Sequence, residues 1–301
     1  LAQVLLLLRE GVAQHALPRT GSGSLGEIAA TMGVSLSLPG ALGVDSPTVS
    51  DPFRLDGRTI IVTGASRGIG AEVARAVSGL GGGVVLVARS EDALRELAEA
   101  LPGPAAAVAG DVSDTDTVER ALAAAEELGG LWGLVNNAGT NPHYHPVTET
   151  PLSEWDEVMA VNLLGAAAFA RAAGRRLAEA GRGGRIVNLS SIAALTGLPN
   201  IGPYNASKAA LDALTRTLAV ELGPAGVLCN SVAPGTIATE MVEGLMTANP
   251  ALRERLVAKS PLGRVGDTPE AAWPIVFLLT DAASFITGQV LVVDGGRLAA
   301  G

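Results

Sequence analysis

TIIVTGASRGIG, residues 59 to 70, decides the fold. Thr59 to Thr63 reads as a buried strand, and the glycine-rich turn after it runs straight into a helical pattern from Ala71. In such a strand–turn–helix, Gly64 can take a positive φ, Gly68 lets the backbone approach a pyrophosphate, and Gly70 permits close helix-to-strand contact. The helix N-terminus then faces the anion. The spacing is G-x-x-x-G-x-G rather than G-x-G-x-x-G, and a glycine turn without a ligand is the alternative. Placement directly after a strand favours a dinucleotide.

Working outward, short apolar runs alternate with longer amphipathic stretches from Gly57 onward, the pattern of repeated βαβ units. Strands are expected at Thr59 to Thr63, Val84 to Ala88, Ala105 to Ala109, Gly133 to Asn136, Arg185 to Leu189, Val227 to Val232 and Val290 to Val293. Their near-continuous apolar character predicts burial on both faces. Helices are expected at about 71 to 80, 91 to 100, 115 to 128, 153 to 179, 204 to 222 and 269 to 280. The fold class is therefore α/β: a Rossmann-type, doubly wound, parallel seven-stranded sheet with helices on both faces. One domain spans residues 51 to 301, with a substrate flap over about 237 to 264. Residues 1 to 50, rich in Gly, Ser, Pro and Leu, show no strand–turn–helix rhythm before Pro52 and read as a loosely packed appendage or a partner-binding arm.

The net charge of -9 gives no reason to attract nucleic acid or an anionic membrane, so phosphate groups must be met by local cations. The single cysteine, Cys229, excludes an internal disulfide and a Cys-based zinc site, which is consistent with a reducing compartment. The apolar run Val4 to Leu8 is far shorter than the ~20 residues of a membrane span, and no basic region precedes it as in a secretory signal. A cytoplasmic protein is expected.

Choice of dinucleotide turns on the end of the second strand, where an acid would accept from a ribose 2′-hydroxyl and repel a 2′-phosphate. That end reads Val87-Ala88-Arg89-Ser90, with Glu91 and Asp92 already in the first helical turn, where acids suit the helix dipole. Arg89 and Arg67 can grip a 2′-phosphate, so NADP(H) is the expected cofactor; two solvated arginines are the alternative.

Further along, Tyr204 and Lys208 lie four apart in an apparent helix and share one face. An ammonium ~5 Å from a phenolate at an effective dielectric of ~20 attracts it by about 3 kcal/mol, enough to lower the phenol's pKa by about 2. A lone Y-x-x-x-K is weak evidence, since a packed aromatic beside a solvated lysine looks the same. Ser191 lies just past the fifth strand, where open parallel sheets gather active groups; Ser190 competes with it. Asn162, a mediocre helix former inside a long helix, asks for an explanation.

With TGASRGIG, Asp111-Val112, Asn136-Asn137-Ala138-Gly139, Asn162, Ser191, Tyr204, Lys208, PGTIAT at 234 to 239 and FITGQVLVVDGG, the chain resembles the short-chain dehydrogenase/reductases from about Phe53 to Gly296. It looks like the branch that includes 3-oxoacyl-carrier-protein reductases. The resemblance implies a catalytic Asn162, Ser191, Tyr204 and Lys208, and selects Ser191 because the family serine lies thirteen residues before the tyrosine. Asn162 would hold a water that relays protons to Lys208. Cofactor contacts are implied for Gly64, Ser66, Arg67, Gly68, Ile69 and Gly70, with Arg89 beyond them. Asp111 and Val112 would meet adenine, although Asp111 also reads as a plain helix cap. Asn137, Ala138 and Gly139 would lie against the cofactor, Pro234, Gly235, Ile237 and Thr239 along the nicotinamide and pyrophosphate, and Tyr204 and Lys208 would touch it as well.

The expected reaction is NADPH-dependent reduction of a carbonyl to a secondary alcohol, or the reverse, with Tyr204 as general acid or base. A 3-oxoacyl-carrier-protein reductase is the narrower alternative, for which Arg171, Arg175, Arg176, Arg182 and Arg185 could supply a basic docking patch. The partners implied are a small carbonyl or alcohol, or an acyl thioester, and three further copies in a homotetramer built on the 153 to 179 helix, the Tyr204 helix and the last strand. A non-enzymatic NADP-binding regulator should lack one of the catalytic four, and none is missing. His143 and His145 form an H-x-H in a proline-flanked loop; with no third ligand at useful spacing no metal is expected, and the loop could reach a substrate. Met241, Leu245 and Met246 suggest an apolar flap lining or ordinary packing.

Overall fold

The structure, a computed structural model, describes residues 51–300. The expected appendage over residues 1 to 50 lies outside them. The first half of the chain lays down β1 (Thr59–Thr63), α1 (Gly68–Gly79), β2 (Gly83–Ala88), α2 (Glu91–Ala100), β3 (Ala105–Ala109) and α3 (Thr115–Glu127). After β4 (Leu131–Asn136) come α4 (Leu152–Met159), a π-helical turn (Ala160–Gly165) and α5 (Ala166–Ala180). Then follow β5 (Gly184–Leu189), α6 (Gly202–Leu222), β6 (Val227–Pro234), α7 (Glu240–Ala248), α8 (Pro250–Ala258), α9 (Thr268–Leu279) and β7 (Val290–Val293).

All seven strands are parallel, in the order β3-β2-β1-β4-β5-β6-β7. Chain direction across the sheet reverses between β1 and β4, and in such a doubly wound sheet the crevice beyond the carboxyl ends of those strands receives the ligand. Alternation along the strands feeds two cores. Ile60, Val62, Val84 and Leu86 pack against Val73 and Val77 of α1, Leu94 of α2 and Ile275 of α9. Ile61, Val85 and Val87 face the other way, against Val118 and Leu122 of α3, Phe169 and Leu177 of α5 and Leu218 of α6. Burying each such side chain contributes about 1.5–3 kcal/mol.

Two expectations need correction. Burial on both faces fails at the sheet edges: most of β3 is only half-buried, and Leu291 and Val292 of β7 are each 38% exposed, because an edge strand has one neighbour. The helix expected over 153 to 179 is broken by its π turn, whose wider winding carries Asn162 into the interior. The stretch from 237 to 264 is helical as expected, in two pieces, because Asn249 caps α8 by accepting from Leu252 N at 3.0 Å and Pro250 opens it. No helix among the described residues is long and apolar enough to cross a membrane.

Candidate active site

The glycine turn is held from outside. Asn137 Nδ2 donates to Thr63 O at 2.8 Å and Gly64 O at 3.0 Å, while Asn137 N and Ala138 N donate to Thr63 Oγ1 at 3.0 and 3.1 Å. The segment after β4 is thereby stitched to the turn after β1. Gly64 has φ +65°, and a Cβ there would lie 2.8 Å from Ala138 Cα; one on Gly70 would collide with Gly64 O and Asn137 Nδ2. The side chain of Asn137 is therefore a brace for the turn. Gly68 differs: φ is +59° and the nearest atom to an added Cβ is Thr239 Cγ2 at 3.6 Å. Arg67, at the N-cap of α1, makes no side-chain cap bond. A bare helix N-terminus thus faces a recess bounded by Thr239, which suits a pyrophosphate.

Toward the far end of a bound dinucleotide, Arg89 is exposed just past β2 and no acid stands at that strand's end. Glu91 is occupied with Arg95, and Arg67 pairs with Glu240 of α7 at 3.2 Å, an exposed contact that a phosphate could displace. Asp111 accepts from Ser113 N at 2.9 Å and Ser113 Oγ at 2.6 Å, and these bonds, helped by Arg89, hold its carboxyl below the usual range. It caps no helix; Asp114 caps α3 instead. Val112 is buried, and its backbone and side chain leave no room for a Cβ on Gly165. The chemistry of these residues fits a phosphorylated dinucleotide.

Beyond β5 the site is made of side chains. Tyr204, in the first turn of α6, is partly buried, and Lys208 one turn later is buried. Lys208 Nζ donates to Leu189 O at 2.6 Å and stands 5.7 Å from the centroid of the Tyr204 ring. Burial lowers its pKa from 10.5 to about 8, with Asp212 pulling the other way. Burial also raises the pKa of Tyr204; a hydrogen bond from Ser191 opposes the rise and the nearby Tyr144 reinforces it. That corrects the electrostatic expectation. In the chain by itself desolvation outweighs the Ser191 hydrogen bond, which favours the neutral phenol, the proton-donating form.

Ser190 and Ser191 separate cleanly. Ser191 caps the short 3₁₀ turn Ile192–Ala194, accepting from Ala193 N at 3.1 Å, and reaches Tyr204. Ser190 is buried beside Asp212. Asn162 Oδ1 accepts from Thr140 N at 2.7 Å, and Nδ2 donates to Thr140 O at 2.9 Å and Ser207 Oγ at 3.1 Å. Both amide hydrogens are spent, so the side chain ties the loop after β4 to α6. A Cβ on Gly139 would lie 3.4 Å from both Asn162 Oδ1 and Lys208 Nζ, which places these groups around one small space.

Sequence reasoning missed Ser207, Thr140, Tyr144 and Asp212. Asp212 is the most informative. It lies one turn beyond Lys208 on the same face, and that spacing could have flagged it. Its carboxylate is buried, neither oxygen has a well-formed hydrogen bond among the described residues, and desolvation raises its pKa against the influence of Ser190, Ser231, Arg216 and Lys208.

The remaining expected residues close the crevice on its far side. Pro234 ends β6, Gly235 N donates to Val293 O at 2.9 Å, Ile237 is buried and Thr239 precedes α7. Ser66 and Ile69 sit in the turn and the first residues of α1. Met246 is buried on α7, while the side chains of Met241 and Leu245 lie outside the described residues. Four of the five arginines offered as a docking patch are engaged or placed elsewhere. Arg185 is buried beside Trp132 and reaches Asp281, and Arg175 and Arg176 pair with Glu179 and Glu126. Arg182 and Arg185 flank the start of β5, at the amino end of the sheet and away from Tyr204. His143 and His145 face Glu154 and Glu157 of α4.

Residues 64–297 match the family model described as Enoyl-(Acyl carrier protein) reductase. An L-rhamnose 1-dehydrogenase (NAD(P)(+)) of Azotobacter vinelandii is 42% identical over 247 residues, covering 79% of this chain and 96% of that protein. The chain belongs to the short-chain dehydrogenase/reductase family. Among solved members of that family, a protein of Sinorhizobium meliloti 1021 described as a short-chain alcohol dehydrogenase superposes with a TM-score of 0.78 at 41% identity, over 83% of this chain and 99% of that one. A Beutenbergia cavernae protein described as an NAD(P)-dependent gluconate 5-dehydrogenase, solved with NADP at low occupancy, gives 0.77 at 37% identity over 83% of this chain and all of that one.

Proposed function

We propose that this short-chain dehydrogenase/reductase interconverts a secondary alcohol or hemiacetal and its carbonyl on a sugar or related polyol, with NADP(H) as the preferred cofactor and Tyr204 as proton donor and acceptor. When bound, the nicotinamide would supply or accept the hydride. The observation that carries this reading is the joint placement of Ser191, Tyr204 and Lys208 at the carboxyl end of β5, beside a bare helix N-terminus. Ser191 and Tyr204 orient the substrate oxygen by hydrogen bonds. In reduction, Tyr204, held neutral by burial, releases its proton to that oxygen; in oxidation it removes one. Lys208, with a pKa near 8, restores the proton balance from beneath. Asn162, through Thr140 and Ser207, fixes the loop and helix that carry these groups.

Arg89 supports the preference for a 2′-phosphate. The sugar reading rests on the relatives that act on rhamnose and gluconate, and on the arginines that fail to make a carrier-protein patch near the site. Exposed apolar residues on β7 and α6, Leu291, Val292 and Val220, support self-association into the homotetramer that the family resemblance implies. The test is a panel of aldoses, sugar acids, polyols, simple ketones and 3-oxoacyl thioesters, assayed with both NADP(H) and NAD(H) by nicotinamide absorbance. Turnover highest on polyhydroxy substrates with the phosphorylated cofactor is expected. Turnover confined to thioesters overturns the substrate class.

A further inference from the structure

The loop between β4 and α4 gathers three ligand-type side chains that the reaction leaves unused. His143 Nδ1 lies 3.6 Å from Glu154 Oε1, and His145 Nε2 lies 3.4 Å from the same oxygen. One ligating atom from each of the three falls within 4.8 Å of the others. A tetrahedral zinc ion with bonds of ~2.0–2.1 Å separates its ligand atoms by about 3.3–3.4 Å, and both histidine contacts to Glu154 are close to that spacing.

Polar complementarity points the same way. His143 Nε2 is 2.8 Å from Glu157 Oε2, and an Nε2–H donated to that carboxylate turns Nδ1 toward Glu154. Glu154 Oε2 is buried with no hydrogen-bond partner among the described residues, leaving that carboxylate under-satisfied. A histidine whose outer nitrogen donates to a carboxylate while the inner one faces a ligand cluster is the usual orienting arrangement of a metal site. The third ligand that sequence spacing lacked comes from α4, where Glu154 and Glu157, three apart, share one face.

We propose that His143, His145 and Glu154 bind a zinc-class divalent cation, oriented by Glu157 and completed by solvent. Two imidazoles and one carboxylate favour zinc over magnesium, which prefers oxygen ligands. Cys229 takes no part, being buried in the core with its pKa pushed up to about 12. The position gives the ion a role. His145 N donates to Asn200 O at 3.0 Å, and His145 bridges to Ile201, immediately before the helix of Tyr204. Tyr144, between the two histidines, acts on the Tyr204 hydroxyl. The cation cross-links α4, the substrate-side loop and the start of α6, bracing the mouth of the active site without touching the reacting atoms. This inference stands independently of the proposed substrate.

The experiment uses tag-free protein stripped with chelator and then titrated with zinc chloride by calorimetry, with metal content measured after dialysis and melting followed with and without zinc. One zinc ion per chain, a higher melting temperature with zinc and no displacement by magnesium are expected. His145→Asn and Glu154→Gln should abolish both binding and the thermal shift while melting like the wild type without metal. Glu157→Gln should weaken zinc about 10–100-fold. Sub-stoichiometric zinc, affinity unchanged in His145→Asn or Glu154→Gln, or equal affinity for magnesium overturns the proposal and leaves simple histidine–glutamate ion pairs.

Discussion

Two regions at the carboxyl end of one sheet prepare for a ligand in opposite ways. The turn after β1 offers backbone: an uncapped helix N-terminus, glycines with positive φ, and Asn137 turned inward to hold the turn's carbonyls. The region after β5 offers side chains whose protonation is set by burial, with Tyr204 raised, Lys208 lowered to about 8 and Asp212 raised beside it. Backbone chemistry depends on residues adjacent in sequence. Side-chain acidity depends on whatever packs overhead, so in the first region a change in surroundings acts through the Asn137 brace, and in the second it acts on protonation itself.

The largest expected effect probes the second region. Tyr204→Phe should lower kcat by roughly 10²–10⁴-fold while cofactor affinity stays within about twofold, measured by steady-state absorbance and by binding titration. Retained turnover would erase the contrast, since the acid–base role would then lie elsewhere. Next comes the backbone region. Gly64→Ala places a Cβ 2.8 Å from Ala138 Cα at φ +65°, and should destabilise the fold by about 1–3 kcal/mol in urea melts and weaken cofactor binding at least severalfold. Stability equal to wild type would show that the turn is not held by its conformation.

Arg89→Asp tests whether the backbone cradle needs a side chain for selectivity. Loss of one charge-assisted contact, worth about 1.5–3 kcal/mol, predicts a roughly 10–100-fold fall in the NADP(H)-to-NAD(H) ratio of kcat/KM, with NAD(H) kinetics little changed. An unchanged ratio would leave Arg89 solvated. The smallest effect sharpens the electrostatic half. Asp212 raises the pKa of Lys208, so Asp212→Asn should let it fall further below about 8. The charged form of Lys208 would then be lost at lower pH, and the limb of the pH–rate profile that reports it should move to the acid side at saturating substrate. A limb that stays put, or moves to the alkaline side, would remove Asp212 from the control of Lys208.

How legible each region was follows from the same difference. Positions and order of the seven strands, the glycine turn and the spacing of Ser191, Tyr204 and Lys208 could be read directly, because apolar periodicity and motif order are local properties. Even the oddity of Asn162 was visible, as an asparagine in an alanine-rich helix. Its π turn was not, nor were its bonds to Thr140 and Ser207, because both partners come from other elements.

By itself, then, the sequence determined a doubly wound α/β chain with a dinucleotide turn, since steric freedom at glycine and hydrophobic alternation act over a few residues. Tertiary structure alone decided the burial of the face that carries Tyr204 and Lys208, which shifts the first up and the second down. It also dispersed the arginines that looked like a patch and delivered Glu154 to His143 and His145. Desolvation and ligand geometry are properties of the assembled neighbourhood, and residues distant in the chain supply that neighbourhood.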